Sequence, residues 1–364
     1  MASFLDDIKA EPGEPAAQLA ELKASGLPLV LYGDGWYAPY VRRFLAVNGL
    51  KPDGCFTDAG FTSSGEAVGF ADICRRFGRF NVVVAFANET LARRKLAAMP
   101  GGQVAGAYFF DVMGPLLENG MDRAYLEAHR AAFEAAYALM ADDISRNTFR
   151  AFIEAKLSGL AGPLAAVACK HQYFVRGLTE PGDAEVFVDG GAYTGDTLLT
   201  FARITGGRYA RCRAFEPDPA NAAKLRESVG RRRLLNVELS VKGLWSAPGR
   251  LPFSAIEGTA SSSINGDGGA VAEVDTIDNA APDATFVKLD VEGAELEALK
   301  GAAATIKRNR PKLAVCVYHR PADLFEMPLY INSLAPGYKL FLRQHQPVAC
   351  ETVLYAVPTA GAVS

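Results

Sequence analysis

Residues 186–196 read VFVDGGAYTGD: an apolar run ends at Asp189 and passes directly into a glycine-rich turn. An apolar run, a glycine turn and a following helix are typical of the first strand, turn and helix of a parallel α/β sheet. Glycine lets the backbone come close to a ligand, and the N–H groups at a helix N-terminus can bind one. The stretch therefore predicts a ligand site at the carboxyl end of a strand.

The spacing of this turn indicates which ligand it holds. A dinucleotide-binding turn has glycines at positions one, three and six. Here Gly190, Gly191 and Gly195 occupy positions one, two and six, and Ala192 stands at position three. Asp189 directly precedes the turn, where a carboxylate would oppose a pyrophosphate and favour an ammonium group. S-adenosylmethionine has an ammonium group, a sulfonium and no phosphate, so we predict that Asp189, Gly190, Gly191, Ala192 and Gly195 bind it.

Two later strands also end in carboxylates. Glu216 follows a predicted strand, and a carboxylate at such a strand tip can accept both hydroxyls of a ribose. The predicted central strand within FVKLDVEG, residues 286–293, ends in Asp290 and Glu292. These two carboxylates could orient an acceptor hydroxyl or take its proton, and Asp290 lies between cofactor and acceptor. The sequence therefore predicts Glu216 and Asp290 as cofactor residues, and Asp290 and Glu292 as catalytic residues.

Several other side chains near these strands bear on the site. His319 follows the predicted strand 312–318 and is either a general base, since histidine titrates near neutral pH, or a hydrogen-bonded loop residue. Tyr173 either covers the cofactor or belongs to the core. The serines 261–263, on a predicted Gly-rich loop, either reach the adenine or the acceptor or are solvated. Lys288 lies inside an apolar strand, where an ammonium group is unfavourable unless it is paired.

Three runs of this sequence resemble those of the FkbM family of S-adenosylmethionine-dependent methyltransferases: VFVDGGAYTGDT (186–197), AFEPDP (214–219) and FVKLDVEGAELEALKGA (286–302). The similarity covers roughly Ala184 to Pro358. It implies a class I, Rossmann-like methyltransferase sheet of seven strands that ends in an antiparallel hairpin. It also implies methyl transfer to an oxygen, commonly a hydroxyl of a sugar or a polyketide.

The resemblance also assigns residues by position. It implies that Asp189, Gly191 and Glu216 hold the cofactor, and that Asp290 and Glu292 line the acceptor side. One departure is Gly191, where many members of the family have a bulkier apolar residue.

The first part of the chain alternates strands and helices in the same way, which predicts a smaller Rossmann-like α/β domain over residues 1–115. Its turn GDGWYA, residues 33–38, matches G-x-G-x-x-A, and Asp58 follows at a spacing suited to a ribose. Asp34 and Trp36, however, crowd the place of a pyrophosphate. Two interpretations stay open: a scaffold that binds a protein partner or a second copy of the chain, or a nucleotide or nucleotide-sugar site.

Beyond this first domain, apolar residues recur at three- and four-residue steps, which is typical of amphipathic helices. We predict a helical connector over residues 116–182 and a methyltransferase domain over residues 183–364. The predicted strands 338–343 and 352–357 have no helix between them, so they should form an antiparallel hairpin at the sheet edge. The predicted fold class is therefore α/β, with two Rossmann-like units and a helical connector.

The composition excludes several classes of protein. The chain has 364 residues and a formal net charge of −3, which does not indicate a nucleic-acid-binding surface. Residues 1–14 lack the regions of a secretory signal. Apolar runs are far shorter than the roughly 18 residues of a membrane helix, so we expect a cytoplasmic protein without membrane insertion. The four histidines form no HxxxH pair and none has zinc-ligand spacing to a cysteine, so no metal site is expected.

These features favour an O-methyltransferase that uses S-adenosylmethionine and acts on a hydroxyl, by resemblance that of a sugar or a glycan intermediate. One alternative is an NAD-dependent sugar oxidoreductase or epimerase that uses the turn at residues 33–38, although no Tyr-x-x-x-Lys pair follows that turn at a suitable place. Another is a protein that binds a nucleotide or adenosyl ligand without turnover. Cofactor binding without methylation of any acceptor would favour the last hypothesis.

Overall fold

The computed structural model describes residues 3–8, 14–35, 37–58, 67–86, 89–110, 112, 121–158, 162–255, 262–264 and 270–359. The chain divides into two compact units. The first consists of Met1–Arg130, Asn147–Ala168 and Gln346–Cys350, and the second of Ala131–Arg146, Cys169–His345 and Glu351–Ser364. The stretch 116–182, predicted as a connector, thus contributes residues to both units.

The chain alternates helices and strands from its first unit onward. Up to residue 170 the elements are a 3₁₀ helix (Phe4–Asp7), α1 (Glu14–Ala24), β1 (Leu29–Tyr32), α2 (Ala38–Val47), β2 (Gly54–Phe56), α3 (Phe70–Phe77), β3 (Phe80–Val84), α4 (Glu89–Ala97), β4 (Val104–Tyr108), α5 (Arg123–Ala128), α6 (Arg130–Ala138), α7 (Asp143–Ser158) and α8 (Gly162–Val167).

The remaining elements follow after residue 170. They are β5 (Val186–Gly190), α9 (Asp196–Ile204), β6 (Arg211–Phe215), α10 (Pro219–Arg232), β7 (Val237–Ser240), β8 (Gly243–Leu244), β9 (Gly249–Ala255), β10 (Ser262–Ile264), β11 (Ala270–Asp275), α11 (Ile277–Ala280), β12 (Phe286–Leu289), α12 (Glu295–Lys300), α13 (Ala303–Asn309), β13 (Lys312–Cys316), α14 (Asp323–Leu334), β14 (Tyr338–Gln344) and β15 (Thr352–Pro358).

The sheet of the first unit has the order β2-β1-β3-β4. All of its strand pairs are parallel, with Tyr32 in register with Phe56 on one side and with Val84 on the other. Every residue of β1 and β3 is buried, as expected for strands whose sheet is covered on both faces. The expected Rossmann-like fold of this part of the chain is therefore confirmed.

The larger sheet belongs to the second unit and has the order β14-β15-β13-β12-β5-β6-β7. Strands β5, β6, β7, β12 and β13 run parallel to their neighbours among themselves, whereas β15 is antiparallel to β13 and β14. An aromatic core supports the central strands, with the rings of Phe187 and Phe201 stacked at a centroid distance of 4.4 Å. This arrangement confirms both the methyltransferase-type sheet and its antiparallel edge hairpin.

Two features of the second unit were not expected from the sequence. Strands β8 to β11 form a separate sheet of order β10-β9-β11-β8. In β11 burial alternates along the strand, with Ala272 and Val274 buried and Val271 exposed. Helix α14 contains Pro328 in its interior, where proline normally disrupts a helix, so the local sequence argues against it.

In the part of the chain that the structure describes, no helix combines the length and apolarity that crossing a bilayer requires.

Candidate functional site

The carboxyl ends of β5, β6 and β12 lie side by side, because these strands are parallel neighbours in the larger sheet. A cavity of about 260 Å³ lies at this edge. Among the described residues, its charged lining consists of one ammonium group and five carboxylates: Lys288, Asp196, Glu216, Asp290, Glu292 and Glu351. The predicted residues Glu216, Asp290 and Glu292 are therefore brought together at one cavity.

The glycine turn after β5 is fixed tightly against its neighbours. Gly191 has a φ of 73°, and a Cβ added there would lie 1.8 Å from the carbonyl oxygen of Asp290. The N–H groups of Gly191 and Ala192 both donate to the carbonyl of Phe215, each at 3.0 Å. Gly195 begins helix α9 with a φ of 94°. Only a residue without a side chain fits at position 191, and the turn is held between the ends of β6 and β12.

Of the residues predicted to hold the cofactor in this turn, only Gly191 lines the cavity. Gly190 closes β5, and a Cβ added there would lie 2.8 Å from the Leu244 side chain. Ala192 is buried. The contact of Gly190, Ala192 and Gly195 with a cofactor stays a prediction.

Asp189 is completely buried and does not line the cavity. Register places it directly beside Lys288, whose Nζ lies 3.1 Å from Asp189 Oδ1. The same ammonium donates to the carbonyls of Gly190 and Gly191, at 3.1 Å and 2.7 Å. Burial raises the pKa of Asp189 to about 6, although Lys288 opposes the rise. The expected partner of Lys288 is thus Asp189, and the pair fixes the start of the glycine turn.

Glu216 lines the cavity from the tip of β6. Its Oε1 accepts from the N–H of Asp218 and its Oε2 from the N–H of Tyr193, both at 2.9 Å. Burial raises the pKa of Glu216 to about 7, and these two hydrogen bonds oppose part of the rise. A carboxylate has about four acceptor positions, so both oxygens keep capacity for a ligand's hydroxyls.

Asp290 follows β12 and is oriented by two phenols. Tyr173 donates to its Oδ2 at 2.9 Å and Tyr318 to its Oδ1 at 3.0 Å. Burial alone would raise its pKa, but the charges of Lys288 and His319 outweigh that effect, so the pKa of Asp290 is lowered. Tyr173 is buried and also lines the cavity. It therefore belongs to the core, and its contact with a cofactor stays a prediction.

His319 lies among carboxylates rather than at the cavity wall. Its Nδ1 is 2.9 Å from Glu295 Oε1, and its Nε2 is 3.6 Å from both Glu292 Oε2 and Asp290 Oδ1. Burial alone would lower its pKa, but Glu295 and Glu292 outweigh that effect and hold the pKa well above its usual value. His319 is therefore an imidazolium at neutral pH, which does not suit the predicted role of proton acceptor.

Glu292, unlike His319, lies at the cavity wall and can accept a proton. It has a φ of 53°, lines the cavity, and keeps 27 % of its side chain exposed. Burial raises its pKa to about 7, while the positive charge of His319 opposes the rise. A carboxylate with this pKa at a cavity wall can exchange a proton with a bound group near neutral pH.

Two residues of the site were not predicted from the sequence. Glu295, at the start of α12, accepts from the N–H groups of Val291 and Gly293 and faces His319. Glu351, just before β15, lines the cavity and accepts a hydrogen bond from Gln172. Nothing in their spacing indicates these long-range contacts. Of the serines at 261–263, Ser261 lies outside the described residues, whereas Ser262 and Ser263 belong to strand β10 instead of the predicted loop.

Two groups of side chains within the described residues could bring metal-ligand atoms together: Asp290 with Glu295 and His319, and Asp290 with Cys316 and Glu351. In each group the ligand atoms lie within 4.8 Å of one another. Clusters of this kind are common without a metal, and the expectation that no metal takes part stays a prediction.

Comparison with known proteins gives a family match and a structural likeness that covers nearly the whole chain. Residues 189–340 match the family model described as a methyltransferase FkbM domain. The chain is similar to the crystal structure of a methyltransferase FkbM from Methylobacillus flagellatus KT, with 23% identity, 96% of each chain covered and a TM-score of 0.70. At this identity the likeness shows a shared fold.

A more distant likeness covers about half of the chain. The precorrin 8w decarboxylase of Methanobacterium thermoautotrophicum aligns with 48% of this chain and 82% of its own, at 18% identity and a TM-score of 0.31. No curated protein matches the sequence.

Proposed function

Because residues 189–340 match the model of the methyltransferase FkbM domain, we propose that the chain is an S-adenosylmethionine-dependent O-methyltransferase acting on a hydroxyl of a sugar or glycan intermediate. When bound, S-adenosylmethionine would supply a methyl group activated by its sulfonium. One observation supports the proposal most strongly: the described lining of the cavity at the ends of β5, β6 and β12 contains five carboxylates.

The charges of the cavity fit this cofactor. The single ammonium in its described lining, that of Lys288, already contacts Asp189 and two carbonyls. The remaining charged groups of the lining are carboxylates, which favour a ligand with a sulfonium and an ammonium. The same groups would repel the pyrophosphate of a dinucleotide, which argues against NAD at this site. In the proposal Glu216 holds the ribose hydroxyls and Asp290 lies between cofactor and acceptor.

Glu216→Ala should weaken the affinity for S-adenosylmethionine by about tenfold to a hundredfold, because hydrogen bonds to a charged acceptor are among the stronger ones. Calorimetry with S-adenosylmethionine and its demethylated product measures this. Glu273→Ala, an exposed carboxylate on β11, is the matched control and should bind normally. Unchanged affinity in Glu216→Ala would show that the ribose role is wrong.

Cofactor binding should release protons near neutral pH. Burial raises the pKa values of Glu216, Glu292 and Glu351 to about 7, so each is partly protonated in the free protein. A cationic ligand stabilises their charged forms and lowers these pKa values, so affinity should rise as the pH rises from 6 to 8. Calorimetry in phosphate and in Tris buffer, which differ in ionisation enthalpy, measures the released protons. Proton uptake on binding would contradict the proposed charge of the ligand.

The same residues have separate tasks in the proposed transfer. The in-line displacement requires the acceptor oxygen, the methyl carbon and the sulfur to be aligned, with water excluded. Asp290, held ionised and oriented by two phenols, positions the acceptor hydroxyl. Glu292 accepts the proton as the hydroxyl attacks. His319, an imidazolium held by Glu295, fixes the position of the Glu292 carboxylate rather than taking the proton itself.

The proposal is tested by transfer of a labelled methyl group from S-adenosylmethionine to a panel of free sugars, nucleotide sugars and lipid-linked sugars. Label on a sugar oxygen supports it. Each reaction is repeated with a chelator and with chelator plus magnesium, and rescue by magnesium would contradict the metal-free chemistry. Cofactor binding without transfer to any acceptor would favour the non-catalytic alternative.

A further inference from the structure

The first unit has a cavity of its own, of about 280 Å³, at the carboxyl ends of β1, β2 and β3. In the order β2-β1-β3-β4, the chain runs from β1 to β2 on one side. It then crosses over to β3 on the other side of β1. Ligands of open α/β sheets bind outside the carboxyl ends of the strands at such a reversal of strand order. The cavity therefore lies where this fold binds ligands.

The backbone directly after β1 approaches the end of β3 closely at Gly33. Gly33 has a φ of 115°, and a Cβ added there would lie 2.9 Å from both the Ala85 carbonyl oxygen and the Phe86 ring. Its N–H donates to the carbonyl of Phe56 at 2.9 Å. The turn after β1 thus passes directly against the end of β3, and only glycine allows that approach.

One wall presents an anchored carboxylate. Asp58 follows β2, and its Oδ1 accepts from the phenol of Tyr32 at 2.9 Å, while Lys95 contacts its Oδ2. Tyr32 is itself buried, with its ring stacked on Phe56 at 4.5 Å. About 45% of the Asp58 side chain stays exposed. The carboxylate therefore has a fixed position at a strand tip, with acceptor capacity left for hydroxyl groups.

The remaining walls indicate what else the ligand contains. Phe86 and Leu91 add apolar surface, so a flat apolar group can lie against them. Asp34, on the turn after β1, also lines the cavity and has its Oδ1 3.7 Å from Arg42. A carboxylate on that turn opposes a pyrophosphate close to the backbone. The favoured ligand thus has a hydroxyl pair and a planar ring, with no phosphate held by the turn.

We propose that this cavity binds a ribonucleoside group, with the ribose hydroxyls on Asp58 and the base against Phe86 and Leu91. The ribonucleoside is either free or the nucleoside end of a nucleotide sugar whose phosphates point away from the turn. This site is separate from the methyltransferase cavity, and the inference does not depend on the proposed methyl transfer.

Calorimetry on the full chain tests the proposal, with adenosine, uridine and uridine diphosphate glucose as probes. Each probe is also titrated into Glu216→Ala, whose change lies in the methyltransferase cavity, and only the binding that this variant retains is assigned to the first unit. At least one probe should bind, and Asp58→Asn should weaken it about tenfold to a hundredfold. The 2′,3′-dideoxy form of the same nucleoside should lose affinity to a similar extent. Asp72→Asn, an exposed carboxylate of the same unit paired with Arg75, is the matched control and should leave affinity unchanged.

The three probes and the variants distinguish a free nucleoside from a nucleotide sugar, and both from a ligand held by its phosphate. Binding of uridine as well as uridine diphosphate glucose indicates a free nucleoside, and binding of the glucose conjugate alone indicates a nucleotide sugar, provided that Asp58→Asn weakens it. A probe that is weakened by Lys95→Met but not by Asp58→Asn would overturn the proposal, because its contact would be with phosphate. Absence of binding by all three probes would overturn it as well.

Discussion

Glu292→Gln should lower the turnover number by about a hundredfold to ten-thousandfold, which is the usual contribution of a general base. The hydroxyl of a sugar has a pKa far above 7 and needs a proton acceptor as the methyl group arrives. Glutamine keeps the size of the side chain but cannot take the proton. The affinity for S-adenosylmethionine should change little, since the proposal places Glu292 on the acceptor side. Initial rates at saturating cofactor, with binding measured separately by calorimetry, distinguish the two effects.

The pH profile makes this test specific. Because the pKa of Glu292 is about 7, turnover in the unmodified enzyme should rise as the pH rises through 7 and then level off. That acid limb should disappear in Glu292→Gln. Glu227→Gln, an exposed carboxylate on α10 paired with Arg231, is the matched control and should keep both the rate and the profile. Full activity of Glu292→Gln would show that Glu292 is not the proton acceptor and that alignment of the reactants accounts for catalysis.

Gly191→Ala should destabilise the second unit by at least about 3 kcal/mol, well beyond the usual effect of one substitution. Its Cβ would lie 1.8 Å from a backbone oxygen, that of Asp290, so no flexible side chain can move aside to make room. The turn would have to move away from β12, and the cavity wall would move with it. Denaturant unfolding measures the loss of stability, and calorimetry measures the accompanying loss of cofactor binding.

Gly177→Ala separates the steric clash of an added Cβ with Asp290 from the strain of an alanine at positive φ. Gly177 has nearly the same backbone conformation, with a φ of 72°, but nothing lies within 4 Å of an added Cβ. This variant should cost only the strain of a left-handed alanine, about 1–2 kcal/mol. Equal stability of the two variants would show that the contact with Asp290 is not restrictive.

Local sequence determined much of the fold. The predicted strands 338–343 and 352–357 correspond to β14 and β15, because two apolar runs with no helix between them pair as an antiparallel hairpin. Helix α14 was not predicted, since it forms despite Pro328 and rests on packing, with Leu324, Met327 and Ile331 buried. Tertiary contacts outweighed local preference there.

The candidate site was predictable to a similar extent. Glu216, Asp290 and Glu292 each follow a predicted strand, which indicated that they meet at the edge formed by the carboxyl ends of the strands. Sequence could not supply the register between β5 and β12, which sets Asp189 against Lys288 and away from the cavity. It also could not supply the charge of His319, because that depends on three carboxylates whose distances only the folded chain defines.

The position of β15 has a consequence for synthesis on the ribosome. This strand inserts between β13 and β14, although residues 352–358 are the last of the sheet to be translated. Until they emerge, β13 has an unpaired edge and β14 has no neighbour in the sheet, so a nascent chain exposes backbone that can pair with other strands. The sheet of the second unit therefore closes late, and chaperones that shield strand edges should matter most for this protein while it is still being made.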